Sequence, residues 1–360
     1  MRNVVPAVVL VAAMGLSPPP AMAGGKSSFS PPAGATVSEE GPRRLKVYRI
    51  PNIPKAAEAY YGTDNLHVIA QVQDPDAVRS KPTDGGALTW TFTDQGTELT
   101  RINAIGNDAC SYFFPDMKQV AWTSVRDHLD LPLGNWSDPK NYPQGGELYI
   151  SDLKGGNVKR LTNNLDYDAE ISVSPDGRWI VFGRQIDGDM DLWRMHADGT
   201  GEQRITDTRD WDEGRPMYLP DSETVMFRAW RHEDYGRIRP TPMTVFTIRH
   251  DGTGLKARTR PGTGMNWSSY PAPDGRHFIA VQVIGNNNWE IFLYDMENPD
   301  AEPERLTWND SFDGLDSISP DGSKMLFARA LGKGFMSDLY THVMDISSLN
   351  IGPENYKGKR

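Results

Sequence analysis

The stretch SPDGRWIVFG, residues 174–183, places a Pro-Asp-Gly turn directly before a short run of β-branched and aromatic residues. Proline presets φ, aspartate can accept a bond from the backbone ahead of it, and glycine adopts a positive φ without strain. The residues that follow suit a half-buried, pleated strand. The stretch therefore predicts a strand that ends, reverses direction and returns to the core.

Similar turns recur along the chain. Second strands follow them, as in QVAWTS and KMLFAR, and third strands come next, as in ELYISD and EIFLYD. A repeat of about fifty residues with four strands is typical of one propeller blade. We therefore predict an all-β fold, a six-bladed β-propeller of four-stranded blades. The aspartates of the turns, which lie 45 to 60 residues apart, are Asp64, Asp116, Asp176, Asp221, Asp274 and Asp321.

The two ends of the repeat are incomplete in complementary ways. The last unit stops at SSLN without a convincing fourth strand, whereas RLKVYRI, residues 44–50, precedes the first unit without a partner. A propeller has to close, because an open edge strand invites aggregation. We predict that this N-terminal strand completes the last blade, so that the propeller spans residues 43–350 and a C-terminal tail follows at 351–360.

The N-terminus indicates export. Arg2 precedes a mostly apolar stretch, and Ala21-Met22-Ala23 is a small-residue cleavage site, so residues 1–23 are predicted to be a cleavable signal peptide. Residues 24–42 are rich in Ser, Pro and Gly, and we expect a disordered linker there. No later segment reaches the ~20 apolar residues that a membrane span needs. We expect a periplasmic or secreted protein with no integral membrane segment.

Charge and cysteine content exclude other classes. The 360 residues carry a net charge of -10, which disfavours general nucleic-acid binding. Cys110 is the single cysteine, so no intrachain disulfide forms, and its apolar neighbours favour a buried small residue over a nucleophile. We expect a monomer that carries no cofactor.

An S-P-D-G turn within a WD-like blade, repeated over roughly residues 44–347, resembles the six-bladed propellers of the TolB type. The resemblance implies the fold, while function has to be argued from a site, because such propellers serve many roles. TolB also has a separate N-terminal α/β domain. Here the first repeat begins near residue 60, so the docking role of that domain is not carried over. Some propellers with similar repeats act on pectin fragments.

Polar residues recur seven positions before the turn proline in five units. There they would lie where the innermost strands begin, at the mouth of the channel, and could bind a cation or the ammonium, amide or hydroxyl groups of a ligand. Alternatively, each one hydrogen-bonds a neighbouring blade and fixes the blade spacing. Four converging carboxylates would repel one another, which makes the mouth worth testing. The five residues are Asp108, Asp168, Glu213, Asn266 and Asp313.

Three long loops should join second and third strands on this same face, at about residues 74–86, 125–146 and 231–242. Loops of this length in a compact domain are often functional. Their candidate binding residues are His128, Trp136, Arg231 and His232.

Signatures of catalysis are missing from the sequence. It has no G-x-S-x-G elbow and no H-E-x-x-H pair, so we assign no catalytic residues and leave any metal ligands unassigned. The interpretation is a non-enzymatic binding or scaffolding module whose partner is an envelope protein segment or a polar small molecule at the channel mouth. The alternative is a carbohydrate-active lyase or hydrolase with its site in the same mouth.

Overall fold

A computed structural model describes residues 29–77, 86–332 and 336–358. The predicted signal peptide lies outside the described residues. The described residues form 25 strands, β1 to β25 in chain order, and two short 3-10 helices, Ser347–Leu349 and Pro353–Asn355. The strands make six antiparallel sheets arranged as blades around an axis, so the predicted all-β, six-bladed propeller is confirmed.

The six blades follow one another along the chain. The N-terminal hairpin consists of β1 (Val37–Glu40) and β2 (Leu45–Arg49). From the axis outward, blade 1 consists of β3 (Ala56–Tyr61), β4 (His67–Gln73), β5 (Ala87–Thr93) and β6 (Thr100–Arg101). Blade 2 consists of β7 (Asp108–Phe113), β8 (Gln119–Ser124), β9 (Glu147–Asp152) and β10 (Lys159–Arg160). Blade 3 consists of β11 (Tyr167–Val173), β12 (Trp179–Ile186), β13 (Asp189–His196) and β14 (Gln203–Arg204).

Blades 4 to 6 repeat this order. Blade 4 consists of β15 (Trp211–Tyr218), β16 (Thr224–Arg231), β17 (Thr244–Arg249) and β18 (Lys256–Ala257). Blade 5 consists of β19 (Trp267–Pro271), β20 (His277–Ile284), β21 (Asn288–Asp295) and β22 (Glu304–Arg305). Blade 6 begins with β23 (Asp313–Ile318), β24 (Lys324–Ala330) and β25 (Leu339–Asp345).

Blade 6 is completed from the N-terminus. Strand β2 pairs antiparallel with β25, with Val47 opposite Met344 and Tyr48 opposite Val343, as the sequence predicted. Strand β1 adds a fifth strand to this blade and lies within the stretch 24–42, where we had expected no ordered structure. At its end, Glu40 accepts hydrogen bonds from Arg329 at 2.6 and 3.0 Å, which ties the hairpin to blade 6.

Every innermost strand contains a register shift against its neighbour, which marks a β-bulge. At each bulge one residue with a side chain adopts a φ between 38° and 57°, in the left-handed region. A bulge bends the strand and redirects a side chain. The six residues, from blade 1 to blade 6, are Glu58, Cys110, Glu170, Arg215, Ser268 and Leu315.

The C-terminal tail lies across the face that carries the Pro-Asp-Gly turns. The backbone N–H of Asp274 donates to the carbonyl of Ile351 at 3.1 Å, and the Tyr356 ring packs beside Gly275. The long loops between second and third strands lie at the opposite end of the blades. Within the described residues, no helix is long and apolar enough to cross a bilayer.

Candidate functional site

The predicted entry residue of blade 2, Asp108, is fastened to the preceding blade. Its carboxylate accepts the backbone N–H of Thr89 on β5 at 2.8 Å and the side-chain amide of Asn103 at 2.7 Å. The side chain is buried, and burial raises the pKa of Asp108 to about 6. These bonds hold blades 1 and 2 together at this end of the strands.

Two more of the predicted carboxylates are paired with arginines of their own blade. Asp168 accepts from the Nε and Nη2 atoms of Arg184 at 2.5 and 2.8 Å. Asp313 accepts from the same two atoms of Arg329 at 2.8 and 2.6 Å. Each arginine lies directly opposite its aspartate on the second strand of the blade. Such bidentate pairs fix both partners in position.

The remaining two predicted entry residues bond to their connecting segments. Glu213 accepts from the hydroxyls of Thr206, at 3.2 Å, and Thr208. Asn266 donates to the carbonyl of Met243 at 2.7 Å. No hydrogen bond or ion pair among the described residues links any two of the five, and their role in binding a ligand stays a prediction.

The candidates on the rim lie in two loops that touch each other. Trp136 packs against Tyr167 at 5.9 Å between ring centroids, and the Tyr235 hydroxyl of the next long loop donates to Asp138 at 3.3 Å. The two loops therefore pack together above blades 3 and 4. Much of the third predicted loop, residues 78–85, lies outside the described residues.

The other rim candidates have charged or aromatic neighbours. A nitrogen of Arg160 lies 3.0 Å from Nε2 of His128, and Nε2 of His232 lies 3.1 Å from the Asp212 carboxylate. Arg231 keeps 54% of its side chain exposed, with its guanidinium 5.2 Å from the centre of a Trp211 ring. Arg231 is therefore exposed on this face, whereas His232 is only 32% exposed and its Nε2 atom is buried beside Asp212. The role of these residues in binding a ligand stays a prediction.

The bulge residues connect the blades to one another at the axis. Arg215, only 5% exposed, donates through Nη2 to the carbonyl of Asp316 at 2.6 Å and through Nε to the carbonyl of Ser269 at 3.3 Å. Its blade thereby contacts blades 5 and 6. Burial raises the pKa of the Asp316 carboxyl to about 6, and the hydroxyl of Ser268 beside it opposes that shift.

Two glutamates extend this polar ring over blades 1 to 3. Glu58 accepts the backbone N–H of Cys110 at 3.1 Å, and its carboxylate lies 3.6 Å from the Cys110 thiol. Glu170 accepts from Arg228 at 2.8 Å and from the backbone N–H of Arg215. Burial raises the pKa of Glu58, although the positive charge of Arg215 opposes that shift.

Two residues beyond the bulges, three tyrosines meet across the axis. The hydroxyls of Tyr112 in blade 2 and Tyr270 in blade 5 lie 3.1 Å apart. The Tyr60 ring lies 5.4 Å from Tyr112 and 6.0 Å from Tyr270, and the Arg215 guanidinium lies 5.7 Å from its centre. Because blades 2 and 5 face each other across a ring of six, these side chains form a floor within the channel.

Comparisons with known proteins agree with this architecture. The structure is similar to TolB from Acinetobacter baumannii, with a TM-score of 0.58, 16% identity, and coverage of 80% of this chain and 65% of that one. A putative TolB from Agrobacterium tumefaciens gives a TM-score of 0.55, with 17% identity and coverage of 86% and 99%. The fold is that of a TolB-like propeller.

Other comparisons extend the range of relatives. An oligogalacturonate lyase in complex with manganese is similar to this chain, with a TM-score of 0.57, 13% identity, and coverage of 87% of this chain and 96% of that one. An uncharacterized protein from Agrobacterium fabrum is 27% identical over 174 residues, which are 47% of this chain. This chain spans about half the length of that curated relative, 53%. No family model matches the chain.

The six bulge residues of the innermost strands were not predicted from the sequence. They lie five positions before the turn proline or its equivalent, two residues closer to the turn than the predicted entry residues. Glu58, for example, stands five positions before Thr63, which takes the place of the proline in the first unit. Counting at five would have shown two glutamates, an arginine and a cysteine at one level of the repeat.

Because the carboxyl of Glu213 is buried, the stability of the folded protein should depend on pH. Burial raises its pKa from 4.5 to about 8. The unfolded chain therefore loses this proton at lower pH than the folded protein, so Glu213 lowers stability progressively as the pH rises from about 4.5 to about 8. We expect Glu213→Gln to raise the free energy of unfolding at the upper end of this range by about 1–3 kcal/mol, with little change below it.

Urea unfolding at several pH values measures this effect. Asp207→Asn is the matched control, because this aspartate lies in the same connecting segment and its side chain is 75% exposed. The control should change stability by less than about 0.5 kcal/mol at any pH. A Glu213→Gln protein whose stability follows the wild-type pH profile would show that the carboxyl titrates normally.

Proposed function

We propose that the protein is an exported binding module that receives a polar small molecule or a segment of an envelope protein through the loop-bearing face of the propeller. The observation that supports this most is the floor of Tyr112, Tyr270 and Arg215, which joins facing blades across the axis. A ligand that enters beside the long loops would stop at this floor. The arrangement suits a pocket with one entrance.

The side chains on the innermost strands, which line the channel, favour a polar ligand. Glu58, Glu170 and Tyr112 each keep part of their surface exposed although they lie on innermost strands. Above them, the exposed side chain of Arg231 and the half-buried side chain of His232 add polar groups at the rim. Binding sites of this kind use a small number of convergent polar groups to fix a ligand. The predicted entry residues Asp108 and Asp168 are buried and would hold the strands in position beneath the rim.

A pair of variants on opposite faces tests the proposal. The wild type, an Arg231→Ser/His232→Gln double variant and an Arg178→Ser control would each be immobilised and exposed to envelope extract and to its small-molecule fraction. Arg178 is a suitable control because its side chain is 73% exposed in a turn on the other face. We expect the rim variant to retain at least tenfold less of whatever the wild type and the control both retain.

Equal retention by all three proteins would contradict the proposal. Retention that falls equally in the rim variant and in the Arg178→Ser control would also contradict it, since binding would then not depend on the loop-bearing face. Thermal unfolding of each variant checks that the fold is intact before retention is compared.

A carbohydrate-active lyase or hydrolase is the second candidate, and the similarity to oligogalacturonate lyases favours it. Glu58, Glu170 and Arg215 would supply acid, base and charge-stabilising groups in the same pocket. Within the described part of the chain, no three His, Cys, Asp or Glu side chains come together to hold a metal ion. Incubation with oligogalacturonates distinguishes the candidates. A lyase introduces a double bond that absorbs ultraviolet light, a hydrolase releases new reducing ends, and a binding module leaves the oligomer intact.

A further inference from the structure

The polar groups at the axis have an excess of acceptors. The Asp316 carboxyl is fully buried, and the hydroxyl of Ser268 beside it, which acts to lower the pKa of Asp316, is buried as well. Glu58 receives one N–H bond, from Cys110, and otherwise contacts only the weak thiol donor. A ligand that completes the interactions of Glu58 has to bring hydrogen-bond donors.

Charge at the axis is unevenly matched. Glu170 is paired with Arg228, and both side chains are nearly buried, at 13% and 7% exposure. Arg215 donates to two backbone carbonyls on blades 5 and 6, next to the buried Asp316. Glu58, in contrast, has no cationic side chain within ion-pair distance among the described residues, although the charge of Arg215 acts on it from farther away, and part of Glu58 is exposed. The three carboxyls thus outnumber the two guanidiniums of Arg215 and Arg228, and Glu58 forms an ion pair with neither of them.

Aromatic faces lie immediately beyond this carboxylate. Tyr60 follows Glu58 by two residues on β3, and its ring lies 5.4 Å from that of Tyr112, tilted by 53°. Tyr112 is the more exposed of the two. Aromatic rings attract cations through the negative potential of their faces, and groups of rings beside a carboxylate recognise ammonium ions. The net charge of -10 on the whole chain would also draw cations toward the protein.

We propose that the pocket binds the ammonium group of its ligand, with Glu58 accepting the N–H bonds and the Tyr112 ring, backed by Tyr60, covering the alkyl side of the cation. This inference rests on the proposed function and names the ligand class of the same site. The ammonium belongs to a small amine or to a lysine side chain of a protein segment, and both carry the same chemistry. Arg215 and Asp316 form the opposite wall and do not contact the ammonium.

Isothermal titration of the full chain with butylammonium chloride at mildly alkaline pH tests the proposal. Butanol serves as the neutral probe of the same shape, and a short lysine peptide serves as the second source of the cation. We expect saturable binding of butylammonium or of the lysine peptide and at least tenfold weaker binding of butanol. Whichever of the two cationic ligands binds more tightly identifies the source of the ammonium group. Failure of both cationic ligands to bind, or equal affinity for butanol, would overturn the proposal.

Glu58→Gln should weaken the binding of the cation at least tenfold, and Glu98→Gln is its matched control. Glu98 belongs to the same blade, but its side chain is 66% exposed near His67. Unchanged affinity in Glu58→Gln would overturn the assignment. If that variant does not fold, Tyr112→Phe and Tyr112→Leu decide the question. The first keeps the ring and should retain affinity within about threefold, whereas the second should lose it.

Failures of the two proposals are distinguishable. If rim-dependent retention from extracts is found and no ammonium compound binds, the pocket is a binding site for another ligand class. If butylammonium binds through Glu58 and retention does not depend on the rim, the ammonium site stands and the entry route through the loops is wrong.

Discussion

Lys324→Met should lower the free energy of unfolding by about 3–5 kcal/mol, because it removes one member of a buried ion pair and leaves the other charged. Lys324, 4% exposed, donates from Nζ to the Asp94 carboxylate and to the Asn65 carbonyl, both at 2.6 Å. Asp94, 2% exposed, also accepts from the hydroxyl of Tyr61 at 3.1 Å. These contacts join blade 6 to blade 1, where the ring closes.

Guanidinium-chloride unfolding measures the loss of unfolding free energy, and two further variants serve as comparisons. The double variant Lys324→Met/Asp94→Asn removes both charges and should recover most of the stability. Lys118→Met alters a lysine whose side chain is 80% exposed and should cost less than about 0.5 kcal/mol. If Lys324→Met loses less than about 1 kcal/mol of unfolding free energy, or if the double variant recovers none of the loss, the ion pair does not hold blades 6 and 1 together.

A chain that begins at residue 51 should fail to form a stable monomer. The truncation removes β1 and β2, and so deletes the buried side chains of Leu45, Val47 and Tyr48. Burial of each such side chain contributes about 1.5–3 kcal/mol. The truncation also exposes the edge of β25 and removes Glu40, which accepts hydrogen bonds from Arg329. The sum approaches the whole stability of an ordinary domain, 5–15 kcal/mol.

Size-exclusion chromatography and circular dichroism test the truncation. A chain that begins at residue 37 keeps the whole hairpin and is the matched control, which should remain a folded monomer. A peptide of residues 37–50 added to the shorter chain should restore some of its structure by pairing with β25. A folded, monomeric chain from residue 51 with an unchanged unfolding midpoint would contradict the role of the hairpin in closure.

The repeat could be predicted from sequence because local turn chemistry and strand alternation act within a few residues. The positions of side chains at the axis could not, because each innermost strand carries a bulge. In β7 the register shifts between Ala109 and Ser111, so Asp108 and Tyr112 face opposite sides of the sheet. A one-residue shift reverses the alternation on which a sequence count depends.

Strand β1 was unpredictable for a different reason. Its sequence, VSEE, has no apolar alternation, and three of its four residues are exposed. What holds its end in place is the Glu40 carboxylate, which accepts from Arg329 and from the backbone N–H of Trp308. Both partners are more than 260 residues away in the chain. Contacts at such separation leave no local pattern in the sequence.

The pairing of β2 with β25 bears on the order in which the protein is made. Val47 leaves the ribosome well before its partner Met344, which belongs to blade 6. Bringing the ends of so long a segment together costs several kcal/mol of chain entropy, so the final sheet forms late. Until β2 pairs with β25, the other five blades are not part of a closed ring. The ring therefore stays open while blades 1 to 5 are synthesised.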